Sequence, residues 1–164
     1  MFTLRCTKKL LARLNASPVA EDLSPSTRLG DWYANLLYKP GGQIVLVVSE
    51  RTLLPVLVHA SPASTLVARF QTAAVDLLLR LGVPAALAED ERKEMEQAHI
   101  GRTASRQVLG SMNDFAYVMG GYLEKGLSLE DASEKLAHAP CSPIGMMVPS
   151  DVVRKVFVGG TENE

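Results

Sequence analysis

The chain has 164 residues and is 47% hydrophobic, enough for one well-buried core and too short for two ordinary domains. Its 17 basic and 18 acidic residues nearly cancel, which excludes an overall field pulling the protein onto nucleic acid or an anionic membrane and leaves only local patches for such work. No stretch approaches the roughly 20 apolar residues of a membrane span, and charges interrupt MFTLRCTKKLLARL too often for a secretory signal, so a cytoplasmic setting without a membrane partner is expected.

In chain order, Phe2 to Arg5 reads as a short strand, with Thr7 placed to cap a helix through Lys8, Leu10, Leu11 and Leu14. The cations Arg5, Lys8, Lys9 and Arg13 read as a solvated, solubilising set, and Cys6 as a small buried core residue rather than a reactive thiol at a helix start. Cys6 and Cys141 form no disulfide framework and no CxxC pair. Pro18, Pro25 and small polar residues make 15–27 a loop placed to fold over a neighbouring site. From Asp31 to Ala60 three strands are expected, Trp32–Tyr38, Gln43–Ser49 and Leu53–Ala60, because β-branched and aromatic residues crowd between short turns. Lys39-Pro40-Gly41-Gly42 is a hairpin signal, and Pro55, which lacks an N–H, puts the third strand at an edge or a bulge.

Helical spacing resumes at Leu66, Val67, Phe70, Ala74, Leu77, Leu78 and Leu81 and stops at Gly82. The charged AEDERKEMEQ that follows predicts a solvated surface helix, and His99–Thr103 a short strand or extended link. Gly101–Leu123 carries the densest pattern: Val108, Leu109, Met112, Phe115, Ala116, Met119, Tyr122 and Leu123 form an apolar stripe suited to the core. Ser128 with Asp131 predicts an N-cap, Pro140, Pro143 and Pro149 an irregular segment, and Val152–Val158 a last helix or strand. The expected organisation is a single α+β domain over 1–158 with a flexible tail at 159–164. Its small, mainly antiparallel sheet, a meander plus the N-terminal strand, is covered on one face by the helices around 64–81 and 105–124.

The isolated His59, His99 and His138 give no metal-ligand spacing, and Gly110-Ser111-Met112-Asn113 completes no nucleophile elbow. No P-loop or GxGxxG is present, so neither a metal nor a cofactor is expected. The candidate ligand-binding residues are Arg102 and Thr103, just before the central helix, and Arg106, Asn113, Asp114 and Tyr117 along its polar side. Gly110, Asn113 and Asp114 are weak helix formers, glycine costing about 1 kcal/mol relative to alanine, so their cluster points to a requirement beyond helicity. One reading makes the stripe an internal network in which Asp114 pairs with an arginine. The other makes it a site where Arg102 and Arg106 hold an anion beside Asn113 and Asp114.

MFTLRCTKKLLARL, TRLGDWYANLLY, SERTLLPVLV and RQVLGSMNDFA, four separated segments in order, together resemble an uncharacterised family of small bacterial proteins, a domain of unknown function, over roughly residues 1–125. The resemblance implies a bacterial cytoplasmic setting and a loose link to mobile DNA, and it assigns no catalytic residue. The expected function is a non-enzymatic binding or regulatory module for a protein or nucleic-acid partner. Its alternatives are a hydrolase or nuclease on a phosphate substrate, using Arg102, Arg106 and Asp114, and a structural homo-oligomer.

Overall fold

Strand β1 (Phe2–Cys6) alternates, sending Phe2, Leu4 and Cys6 into one apolar cluster and leaving Thr3 and Arg5 on the opposite side of the sheet. In the computed structural model, which describes residues 1–159, β1 is joined by β2 (Trp32–Lys39), β3 (Gly42–Ser49), β4 (Pro55–His59) and β5 (Ala98–Arg102). The sheet order is β4-β3-β2-β1-β5. The meander β2-β3-β4 pairs antiparallel, while β1 runs parallel to both β2 and β5, so the sheet is mixed and mostly antiparallel. Lys39 pairs with Gly42 across the expected hairpin, where Gly41 and Gly42 adopt φ of 92° and 140°. Pro55 opens β4 at the sheet's edge, as its missing N–H predicts.

Six α-helices accompany the sheet among the described residues: α1 (Lys8–Leu14), α2 (Leu66–Arg80), α3 (Ala85–Glu94), α4 (Arg106–Glu124), α5 (Leu129–Leu136) and α6 (Pro149–Val158). The helices cover both faces, which corrects the expectation that α2 and α4 share one. Phe70, Ala74, Leu77 and Leu78 of α2 pack with Phe2, Leu4, Trp32, Ala34, Val45 and Val47, whereas Val108, Met112, Phe115 and Met119 of α4 pack with Tyr33, Ile44, Leu46 and Val48. The sequence carries the reason. Ile44-Val45-Leu46-Val47-Val48 is apolar at every position, the mark of a strand buried on both sides, whereas a half-solvated strand would alternate.

Two local expectations also change. Thr7 does not cap α1; its hydroxyl donates to Asn35 Oδ1 at 2.8 Å, which ties the helix start to β2. Helix α3 is not wholly solvated, because Glu91 is 1% exposed and its carboxylate accepts from the backbone N–H groups of Arg28 (2.9 Å) and Leu29 (3.1 Å). Burial pushes the Glu91 carboxyl above its ordinary value despite those bonds. Cys6 lies in the core as expected, its thiol pushed up to about 12 by burial. Of the tail expected at 159–164, Gly159 follows α6 in a right-handed conformation, and 160–164 lie outside the described residues.

Candidate functional site

On the α4 face, the apolar cluster draws its strand residues from β2, β3 and β4 alone. The β1–β5 end of that face therefore keeps its polar side chains, Thr3 and Arg5, outside that apolar cluster. It opens as a cleft of about 630 Å³ lined by Thr3, Arg5, Tyr33, Glu50, Arg102 and Ser105, among others. Chain topology places it. Helix α1, which follows β1, buries Leu10 and Leu11 on the α2 side, while α4, which follows the neighbouring parallel β5, packs on the other. A crevice at such a reversal, beside the carboxyl ends of parallel strands, is where open α/β sheets bind ligands, and the volume suits a small molecule, for which pockets run about 300–1,000 Å³.

The cleft is held from below. Asp31, 2% exposed, accepts from Thr3 N at 2.9 Å and from Arg5 Nε at 3.2 Å, so a buried carboxylate fixes both the β1 backbone and the Arg5 guanidinium. Arg5 also donates through Nη1 to Arg102 O at 3.2 Å and through Nη2 to Asp22 Oδ1 at 2.7 Å. Tyr33, 1% exposed, accepts from Ser105 N at 3.0 Å, and the Ser105 hydroxyl accepts from Val108 N, so the start of α4 is fastened to the sheet. Gly101 pairs with Arg5 across the ladder, and a Cβ there would come within 2.7 Å of Thr3 Cγ2. Thr3 itself is 2% exposed, and its hydroxyl has no hydrogen-bond partner among the described residues. A buried unpaired hydroxyl costs roughly 1–3 kcal/mol. The loop supplies Val19 to Asp22 as the outer wall, and Val19 N donates to Ile100 O on the free edge of β5.

The structure divides the six candidates named from sequence. Arg102 and Thr103 line the cleft. Arg106, Asn113, Asp114 and Tyr117 lie on the solvent side of α4, Tyr117 being 87% exposed. Asp114 borders a separate recess of about 110 Å³ with Phe115, Leu136 and Cys141, a recess that neither Arg102 nor Arg106 lines. The expected Asp114–arginine network is absent among the described residues, whose ion pairs lie elsewhere. Nothing comes within 4 Å of a Cβ at Gly110, so nothing in the fold accounts for that glycine. Asp31, Arg5, Tyr33 and Thr3 were missed. The available signal was the alternation of β1, which puts a threonine and an arginine on a face the fold would otherwise bury.

Other constellations carry less chemistry. A cavity of about 410 Å³ lies between β4, α2 and α5, but the edge beside it is already occupied: Leu57 N donates to Ser133 Oγ at 2.9 Å, and Arg69 donates to His59 O at 2.7 Å. Ser150 Oγ lies 3.0 Å from His138 Nδ1, yet Ser150 is 2% exposed and its N–H bonds Ala137 O, so the contact latches α6 to the end of α5. Burial, with the Asp114 charge adding to it, raises the Cys141 thiol. Among the described residues, no group of three or more His, Cys, Asp or Glu side chains gathers to hold a metal ion, and no helix is long and apolar enough to cross a membrane.

No curated protein and no solved structure matches the chain. Residues 3–152 do match the family described as Domain of unknown function (DUF6933). That match takes in every strand but the first residue of β1, together with every residue lining the cleft, and on it the protein belongs to the DUF6933 family.

Proposed function

We propose that the protein is a non-enzymatic binding module of the bacterial cytoplasm whose ligand, a small polar molecule, occupies the cleft over β1 and β5. The observation that carries this reading is the Thr3 hydroxyl, buried and, among the described residues, unpartnered on the cleft wall within a frame otherwise satisfied by Asp31. The side chains around it are of recognition type: a positioned arginine, a free arginine and a tyrosine committed to the α4 backbone. Asp114 and Arg106 stand outside it, so the phosphate-hydrolase alternative loses its joint geometry. Thermal unfolding against pooled metabolites tests the reading. A bound ligand at a hundred times its Kd stabilises by about 2.7 kcal/mol, a rise in Tm that Arg102→Gln should reduce or abolish. An equal rise in the variant, or none with any pool, would overturn it.

A second reading follows from Tyr117 and Val118, 87% and 40% exposed on the outer face of α4 beside Asn113 and Asp114, where a protein partner would find an aromatic anchor. Co-purification from the native host, compared with Tyr117→Ala, tests it; unchanged recovery of every associated protein would remove it.

A further inference from the structure

The charges lining the cleft are mixed: Arg5 and Arg102 against Glu21, Asp22 and Glu50. They are not all committed. Among the described residues the Arg102 guanidinium, Glu21 and Glu50 engage no other side chain. Arg5 is held from behind by the buried Asp31, whose Oδ2 lies 3.2 Å from Nη2, and on its outer side Nη2 is met at 2.7 Å by Asp22, a loop carboxylate that is itself 89% exposed. Asp22 thus sits where an incoming oxyanion would sit, on an arginine already oriented. Asp22 is almost fully solvated and brings little binding of its own, so a ligand carboxylate displaces it at little cost.

The remaining charges set the rest of the ligand. With Asp22 moved aside, a polyanion such as a nucleoside triphosphate would face Glu21 and Glu50, whereas a simple cation would leave Arg102 unmatched. A molecule with one carboxylate and one ammonium meets both signs. We infer that the cleft takes a small zwitterion of the amino-acid class, its carboxylate replacing Asp22 on Arg5 beside Arg102 and its ammonium facing Glu50 and Glu21. The inference rests on the cleft being the binding site proposed above.

Isothermal titration of the full chain with each of the twenty standard amino acids, then with the N-acetyl and methyl-ester forms of the tightest binder and with inorganic phosphate, tests it. The free amino acid is expected to bind, and each blocked form to bind about 10-fold to 100-fold more weakly, the span for one lost charged hydrogen bond. Asp22→Ala removes the internal competitor and should tighten binding by up to about fivefold, while Glu50→Gln should erase the preference for the free over the N-acetyl form. Equal binding of blocked and free forms, binding of phosphate alone, or no binding by any amino acid overturns the inference. The cleft reading stands or falls separately, on whether any ligand from the pooled metabolites loses its effect in Arg102→Gln.

Discussion

Removing the Asp31 carboxylate should be the most damaging single change in the cleft's frame. Asp31→Ala strips the acceptor from the buried Thr3 N–H, a loss of roughly 1–3 kcal/mol, and leaves Arg5, whose side chain is 16% exposed, with the exposed Asp22 as its one carboxylate partner among the described residues, beside the Arg102 carbonyl. Breaking a buried pair from one side costs about 3–5 kcal/mol; because Arg5 retains Asp22 and the Arg102 carbonyl, we expect about 3–4 kcal/mol for the two effects together. Asp31→Asn keeps an oxygen for Thr3 N but turns an amide donor toward Arg5 Nε, so about 2 kcal/mol is expected. Equilibrium urea unfolding followed by far-ultraviolet circular dichroism measures both, with an unchanged slope certifying that the folded state is intact. A loss below about 1 kcal/mol for Asp31→Ala, or equal losses for the two variants, would refute the claim that Asp31 holds both the backbone and the arginine.

Three further outcomes are expected. Phe115→Ala, at a site 4% exposed in the α4 cluster, should cost about 3–5 kcal/mol in the same unfolding assay, and a loss below about 1 kcal/mol would misplace that core. Asp114→Asn should change stability by less than about 0.5 kcal/mol, since the exposed carboxylate has no ion-pair partner to lose among the described residues; a loss of several kcal/mol would restore the internal network. Because the folded Glu91 carboxyl is raised above its ordinary value of 4.5, its contribution to stability is fully present below that value and is lost as pH rises through the folded one. Urea midpoints measured against pH should therefore fall for the wild type relative to Glu91→Gln across that rise, and parallel pH profiles would count against a buried, ionising Glu91.

Much of the fold could be read from spacing. Lys39-Pro40-Gly41-Gly42 specified its hairpin through glycines able to take positive φ, Pro55 specified an edge through its missing donor, and the three-and-four spacing from Val108 to Met119 specified the buried side of α4. Those features are local. Which face of the sheet each helix covers is settled by crossover direction between distant strands, so only the unbroken apolar run of β3 hinted that both faces were buried. The family was likewise legible in four motifs, and its match extends through α5 and into α6, to residue 152.

The site was half legible, for a similar reason. Arg102 and Thr103 stood out because they precede a long helix, and they do line the cleft. The residues that give the cleft its chemistry come from β1, β2 and the loop before β2, and Asp31 meets Arg5 only after the chain has crossed from one parallel strand to the next. Asn113, Asp114 and Gly110 attracted notice as poor helix formers, yet helix propensity differs by about 1 kcal/mol or less among these residues, and an exposed helix face absorbs that cost without any ligand. Arg5 was read as solvated because its partner is 26 residues away in sequence.

The central claim, that ligand recognition occurs over β1 and β5, is tested most directly by amide chemical-shift mapping on the isotope-labelled protein during titration with the metabolite that most raises Tm. The account predicts saturable shifts at Thr3, Arg5, Tyr33 and Arg102 to Ser105, with Asn113 to Tyr117 and the β4 edge at Leu57 to His59 unmoved. Shifts confined to the outer face of α4 or to the cavity beside β4, with the β1 and β5 amides still, would contradict it.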